Sequence, residues 1–148
     1  MFKVLFVCTG NTCRSPMAEY ILKSRNLPIE VSSAGIYARD GEPMATMAQS
    51  VIFDELSIFT QHRSRQLIKE LADSSDLILT MTEAQKDVLK ESGIKNVFTL
   101  KEFADESGDV EDPFGSGYAT YLKIFFELKR LIEKSEKKFN NSKGKNQE

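Results

Sequence analysis

Two thiols, a guanidinium and three hydroxyls fall within eight residues near the amino terminus, in Cys8-Thr-Gly-Asn-Thr-Cys-Arg-Ser15. An apolar run, Val4 to Val7, precedes the segment and Pro16-Met-Ala-Glu19 follows it. A loop between a strand and a helix start can turn its backbone amides inward as a nest. The helix end adds partial positive charge, so the two together make a cradle for an oxyanion. Thr9, Gly10, Asn11, Thr12 and Cys13 would supply the amides, and Gly10 and Asn11 are residue types that tolerate the positive φ such a loop requires. Arg14 can grip two oxygens of a phosphate with a planar fork that Lys lacks. The same positive surroundings favour thiolate over thiol at Cys8, and a thiolate beneath a bound phosphorus is placed for in-line attack.

Each residue also has a plainer reading. A Cys at a strand end is usually a small buried hydrophobe, and the same holds for Cys13. Only the combination with Gly10, Asn11, Arg14, Ser15 and the flanking elements makes catalysis the better account of Cys8. The loop is no Walker A, because the closing Gly-Lys-Ser/Thr is missing. Four residues separate the thiols, so it is no thioredoxin-type Cys-x-x-Cys either.

The elements that must position these groups read as alternating strands and helices. Lys3 to Val7 is a strand apolar on both faces, as in the interior of a parallel sheet. Ser15 as N-cap and Pro16 at the first helical position open a helix carrying Met17, Ala18, Ile21 and Leu22. Ile29 to Ser33 is a second strand ending at Ala34-Gly35. Helices are expected from Pro43 to Leu56 and from Ser64 to Asp73. Asp76 to Met81 is a central strand, Thr82 caps a helix through Glu91 and Gly93 ends it. Val97 to Leu100 is a fourth strand, a polar stretch runs from Lys101 to Gly117, and a last helix covers Tyr118 to about Lys134. The expected fold is α/β: one three-layer domain with a four-stranded parallel sheet, helices on both faces and the phosphate-binding loop after the first strand. Ligands in such sheets bind beyond the carboxyl ends of the strands, which is where the loops after Val7, Met81 and Leu100 open.

Composition narrows the field. The chain has 148 residues, 28% of them charged, with two Cys, one His and no Trp. That length supports one self-standing core. Two Cys and one His can build neither a disulfide scaffold nor a Cys/His zinc site. The longest wholly apolar stretch, Val4 to Val7, is far short of a membrane span, and Met1-Phe2-Lys3 leads into it without a signal-peptide pattern. A cytoplasmic protein with no membrane association is expected. The net charge is −2, the last fifteen residues carry +3, and the remaining body is acidic at −5, which argues against nucleic acid as a partner. Residues 1–134 form the expected domain; residues 135–148, rich in Lys, Asn and Ser, read as a frayed helix end followed by a disordered tail. The oligomeric state is not legible, and a monomer is the default expectation.

Taken together, these motifs resemble one known family. Val7-Cys-Thr-Gly-Asn-Thr-Cys-Arg-Ser-Pro-Met-Ala-Glu19 is similar to the phosphate loop of the low-molecular-weight protein-tyrosine phosphatases. Ser33-Ala-Gly35, Gln61-His-Arg-Ser-Arg-Gln66, Asp76-Leu-Ile-Leu-Thr-Met81 and Asp112-Pro113 follow in the family's order, so the likeness runs from Lys3 to about Ile132. The resemblance implies that Cys8 is a nucleophile forming a phosphocysteine, that Arg14 binds phosphate, and that Asp112 is general acid and then base. The residues alone place Asp112 in the polar loop at the right edge, where Asp109, Glu111, Glu102 and Asp105 compete with it and an Asp before Pro is more often a turn residue. The resemblance selects Asp112. It further implies Ser15 as hydrogen-bond donor to the thiolate, and Asn11, Ser33 and His62 as a supporting polar network. A simple structural or solvated role is the plainer account of His62. Cys13 is equally readable as a buried small side chain or as a second thiol able to form a disulfide with Cys8.

Substrate choice rests on fewer residues. Thr12, where tyrosine-directed members carry a larger aliphatic residue, and Asp112-Pro-Phe-Gly115 resemble the bacterial protein-arginine phosphatases of the family. A hydroxyl at Thr12 can satisfy a guanidinium donor that an Ile or Leu would leave unpaired. Tyr37 and Phe114 are expected to wall the side chain, with cation-π contact to the guanidinium. The expected substrates are therefore proteins phosphorylated on Arg, with phosphotyrosine the alternative. A thioredoxin-coupled arsenate reductase would need cysteines after Cys13, and there are none. A non-enzymatic oxyanion-binding regulator would be expected to lack Cys8 or Asp112, and both are present. No metal or other cofactor is required, because loop amides and Arg14 already stabilise transition-state charge.

Overall fold

A computed structural model describes the backbone of residues 1–147 and side-chain surroundings through residue 141. Four strands, β1 (Lys3–Cys8), β2 (Glu30–Gly35), β3 (Leu77–Thr80) and β4 (Val97–Thr99), pair in the order β2-β1-β3-β4. All three pairings are parallel. Strand β1 is central because four consecutive apolar residues let it bury both faces. Val4 and Phe6 point into a larger core with helices α1 (Arg14–Ser24), α2 (Thr46–Leu56) and α6 (Tyr118–Lys134). Leu5 and Val7 point into a smaller one beneath α3 (Lys69–Ser74) and α4 (Glu83–Glu91). This is the expected doubly covered parallel sheet. Among the described residues no helix is long and apolar enough to cross a membrane.

Several boundaries differ from the sequence reading, each for a tertiary reason. The first helix starts at Arg14 with Cys13 at its N-cap, and no side chain caps it. Ser15 cannot cap because its hydroxyl is engaged by Cys8, and Pro16 sits harmlessly in a first turn whose N–H groups have no intrahelical acceptor anyway. Helix α2 begins only at Thr46, because Pro43 forms a bridge to Arg63. The helix expected from Ser64 shrinks to Lys69–Ser74. The residues before it run extended along the edge of β2, with Gly35 N–H donating to Arg65 O at 2.9 Å and Leu67 N–H donating to Gly35 O at 2.8 Å. Strand β4 stops at Thr99, which with Glu102 forms a capping box that turns the chain into the short α5 (Leu100–Phe103) inside the expected polar loop. Thr82 and Gln85 form the same motif at α4, as its cap residue suggested.

The carboxyl-terminal segment is a correction to the expected tail. It forms a further helix, α7 (Glu136–Gln147). Phe139 is fully buried, with its ring 5.1 Å from that of Phe103. Arg25 Nε donates to Glu136 at 2.8 Å, and Lys138 Nζ donates to the Phe103 carbonyl at 2.6 Å. One buried aromatic residue, together with these polar contacts, docks the start of the helix. The last residue of the expected tail lies outside the described residues.

Candidate active site

The loop from Thr9 to Cys13 leaves the carboxyl end of β1 and is pinned from outside through its carbonyls. Ile36 N–H donates to Cys8 O at 3.0 Å, Tyr37 N–H to Thr9 O at 2.9 Å, and Ala45 N–H to Thr12 O at 2.9 Å. His62 Nε2 lies 2.7 Å from Asn11 O. A carbonyl only accepts, so Nε2 carries the proton. With the carbonyls held outward, the amides of Gly10 to Arg14 have no acceptor among the described residues. Asn11 is fully buried with φ 58°, the left-handed conformation expected of the loop, whereas Gly10, for which the same was expected, does not adopt it. A concave set of unpaired N–H groups at a helix start is an anion site in waiting.

Cys8 is buried at the floor of this loop, its Sγ 2.9 Å from Ser15 Oγ. Arg14 is also buried. Its Nη1 donates to Val110 O at 2.8 Å and Nη2 lies 3.7 Å from Asp112 Oδ2, while Nε has no partner among the described residues. A buried, unpaired guanidinium N–H costs free energy unless a ligand completes it, and an oxyanion would do so. Asp112 Oδ1 accepts from Phe114 N–H at 3.0 Å, a turn that presents the carboxylate next to the guanidinium. Cys8, Thr9, Gly10, Thr12, Cys13, Arg14, Asp112 and Phe114 line one cavity of about 210 Å³. Tyr37 is not part of that wall. It is 76% exposed and lines the adjoining hollow.

The network around Asn11 extends further than the sequence suggested. Asn11 Nδ2 donates to Ser15 Oγ at 2.8 Å and to Ser33 Oγ at 2.9 Å. Ser33 Oγ donates to Glu19 Oε1 at 2.6 Å, and Arg65 N–H donates to Asn11 Oδ1 at 3.0 Å. In the sequence Glu19 is only the last residue of the phosphate-loop motif; here it is a buried carboxylate, paired with Lys23 at 2.5 Å. Its position four residues after Ser15, on the same face of α1, was the available signal. Gln85, whose Nε2 donates to Thr9 Oγ1 at 3.1 Å, and Val110, whose carbonyl orients Arg14, carried no such signal. Cys13 is a buried free thiol 3.3 Å from Tyr121 Oη. Burial pushes its pKa up, against the lowering contribution of the Tyr121 hydrogen bond. Burial and the Cys13 contact push the Tyr121 phenol up as well.

Fold and site together are those of an α/β protein built to hold a tetrahedral oxyanion over a thiol, at the carboxyl edge of a parallel sheet. The family described as low molecular weight phosphotyrosine protein phosphatase matches residues 3–147, and the chain belongs to it. Over 138 residues it is 42% identical to a protein-arginine-phosphatase of Geobacillus stearothermophilus, covering 90% of this chain and 93% of that one. It is 38% identical over 138 residues to the low molecular weight protein-tyrosine-phosphatase PtpB of Staphylococcus haemolyticus, covering 89% of this chain and 96% of the relative. The YwlE arginine phosphatase structure from Geobacillus stearothermophilus superposes with a TM-score of 0.91 at 39% identity, covering 98% of this chain and 97% of that one. A YwlE structure in which serine replaces the active-site cysteine, with that serine phosphorylated, superposes with a TM-score of 0.88 at 38% identity, covering 93% and 95%.

Proposed function

We propose that this protein is a protein-arginine phosphatase that works through a phosphocysteine, with phosphorylated proteins as its substrates and the reducing cytoplasm as its compartment. Loop amides and the free edge of Arg14 hold the phosphoryl oxygens. The Cys8 thiolate, supported by the Ser15 hydroxyl, attacks phosphorus in line, so that an S–P bond forms as the P–N bond to the guanidine breaks. Asp112 gives its proton to the departing nitrogen. Water then attacks the phosphocysteine, Asp112 takes its proton, and inorganic phosphate leaves as the thiolate is restored. The unpaired amides and buried Arg14 edge above Cys8 are the observation that carries phosphoryl transfer. Asn11, Ser33 and His62 hold the loop and are positioning residues. The site is built from one chain, and a monomer suffices for the chemistry.

For the choice of phosphoamino acid the carrying observation is Thr12, which lines the small cavity together with Cys8 and Phe114. Its hydroxyl can accept from a guanidinium, where an aliphatic side chain would leave that donor unpaired. The arginine-phosphatase relatives support this reading. The tyrosine-phosphatase relative keeps phosphotyrosine as a second one.

The test is hydrolysis of matched phosphoarginine and phosphotyrosine peptides by wild type and by Thr12→Ile. Wild type is expected to favour phosphoarginine, and the variant to shift toward phosphotyrosine by about tenfold or more in the ratio of kcat/KM values. An unchanged preference for phosphotyrosine in both proteins removes the arginine assignment. Retained turnover of both peptides by Cys8→Ser removes the covalent mechanism.

A further inference from the structure

The catalytic cavity is the end of a longer depression. A hollow of about 470 Å³ opens beside it, with Thr9, Arg14 and Asp112 common to both. A further hollow of about 400 Å³ shares Ile36, Tyr37 and Val88 with that one. The three lie in series, and α4 walls the outer two, from Ala84 in its first turn to Ser92 just past its end. A nine-residue helix is about 13 Å long, the reach of about four residues of extended chain. The phosphoryl chemistry needs only the innermost cavity, which leaves the outer length without a role.

Apolar and charged side chains share its lining along the whole length. Asp109, Glu111 and Asp112 line the inner hollow, where Arg14 is the one cationic side chain among the lining residues and a bound phosphoryl group would meet its charge. Farther out, apolar Ile36, Leu67, Val88 and Ile94 share the lining with Gln66, Lys69 and Asp73. Tyr37 stands between the two hollows with its ring exposed, and its backbone N–H is fixed to Thr9 O, so its position is tied to the phosphate loop. An exposed aromatic anchored to the catalytic loop is placed to contact whatever extends out of the cavity.

We propose that this trough binds the substrate's own polypeptide on one side of the phosphorylated residue. A Lys or Arg side chain lies against Asp109 and Glu111, and an apolar side chain lies between Ile36 and Val88. The proposal rests on the phosphatase reading above. Continuity with the catalytic cavity, a length of several extended residues and the carboxylate-lined inner part together select a flanking chain over a compact small molecule. Main-chain length supplies affinity in such a trough, and the two side-chain environments supply selectivity.

The test compares free phosphoamino acid with two peptides. Each peptide extends the phosphorylated residue by four residues, with Lys first and Leu third, one toward the amino end and the other toward the carboxyl end. Phosphoarginine and phosphotyrosine series run in parallel, so the trough is judged on whichever group the enzyme hydrolyses. Wild type is expected to show a kcat/KM about tenfold or more above the free phosphoamino acid for one of the two peptides. Val88→Lys and Glu111→Lys are each expected to remove most of that advantage while leaving the free phosphoamino acid within about twofold. Equal kcat/KM for both peptides and the free compound, or variant losses shared by the free compound, overturn the trough and leave the catalytic reading standing. Failure of wild type to turn over any phosphorylated compound overturns the catalytic reading and the trough's occupant with it. Self-association in sedimentation that Val88→Lys abolishes would assign the trough to a second copy of this chain and also overturn the proposal.

Discussion

The Glu19 carboxylate, paired with Lys23, only accepts hydrogen bonds, so Ser33 must direct its hydroxyl proton there. Ser33 Oγ then accepts from Asn11 Nδ2, whose amide is held the right way round by Arg65 N–H on its oxygen. Ser15 Oγ accepts from the same Asn11 nitrogen, which leaves its own proton free to point at Cys8 Sγ. The direction of every bond from Glu19 to Cys8 thus favours a negative sulfur at the end of the chain. Arg14, Asp112, Cys13 and the His62 contact on Asn11 also face this loop, and none of them fixes the Ser15 hydroxyl. Glu19→Leu is expected to lower kcat/KM at neutral pH by about tenfold. It is also expected to slow alkylation of Cys8 at neutral pH by several-fold in a Cys13→Ala background. A variant that folds normally by circular dichroism and is alkylated at the unchanged rate would reduce Glu19 to a packing residue.

Elements rather than single groups set the loop's shape. The end of β2 lies so close to the phosphate loop that a Cβ on Gly35 would stand 2.6 Å from Thr9 O, 2.9 Å from Ala38 Cβ and 3.1 Å from Asn11 Cβ. Two of these partners belong to the loop itself, so the strand and the anion cradle can meet only at a glycine. The same backbone pairs on its other side with residues 65–67, which explains why a segment with helical spacing runs extended. Gly35→Ala is expected to cost about 2 kcal/mol in urea unfolding and to reduce phosphatase activity through a displaced loop. Full stability with native activity would mean the two segments separate more readily than their hydrogen bonds suggest.

At the scale of the whole molecule, the acidic body is tied together by ion pairs between distant segments, and the last helix closes the larger core. Glu106 bonds Arg130 and Lys134 of α6, and these contacts hold its carboxyl down at about 2. A carboxyl depressed in the folded state stabilises the fold above its unfolded pKa. That contribution is lost as pH falls from the unfolded value of about 4.5 through 2. Glu106→Gln should therefore narrow the stability difference between pH 6 and pH 2 in thermal melts; an identical acid limb would show that the pairs are screened by solvent. Phe139→Ala should destabilise the protein by about 3 kcal/mol, because a fully buried ring is removed from the contact with Phe103. An effect of a few tenths of a kcal/mol would return α7 to the status of the loose tail its composition suggests.

The sequence by itself determined the elements whose cause is local and the residues whose types are scarce. An apolar run beside Gly10 and Asn11, and capping residues such as Thr82, announce a parallel α/β sheet with a loop at its carboxyl edge. One Cys-x5-Arg spacing and two cysteines in all limit the chemistry that loop can perform. Only the tertiary structure decided what depends on neighbours distant in the chain. Ser15 gives up its cap to face Cys8, Glu19 orients a network from inside a helix, and Val110 leaves one edge of Arg14 free. Residues 65–67 become edge chain because Gly35 offers them hydrogen bonds, and Phe139 orders a polar tail because Phe103 lies within reach. The physical reason is common to these cases. A hydrogen bond or a buried ring can outweigh local propensity, and its partner's position is fixed by the fold, not by spacing along the chain.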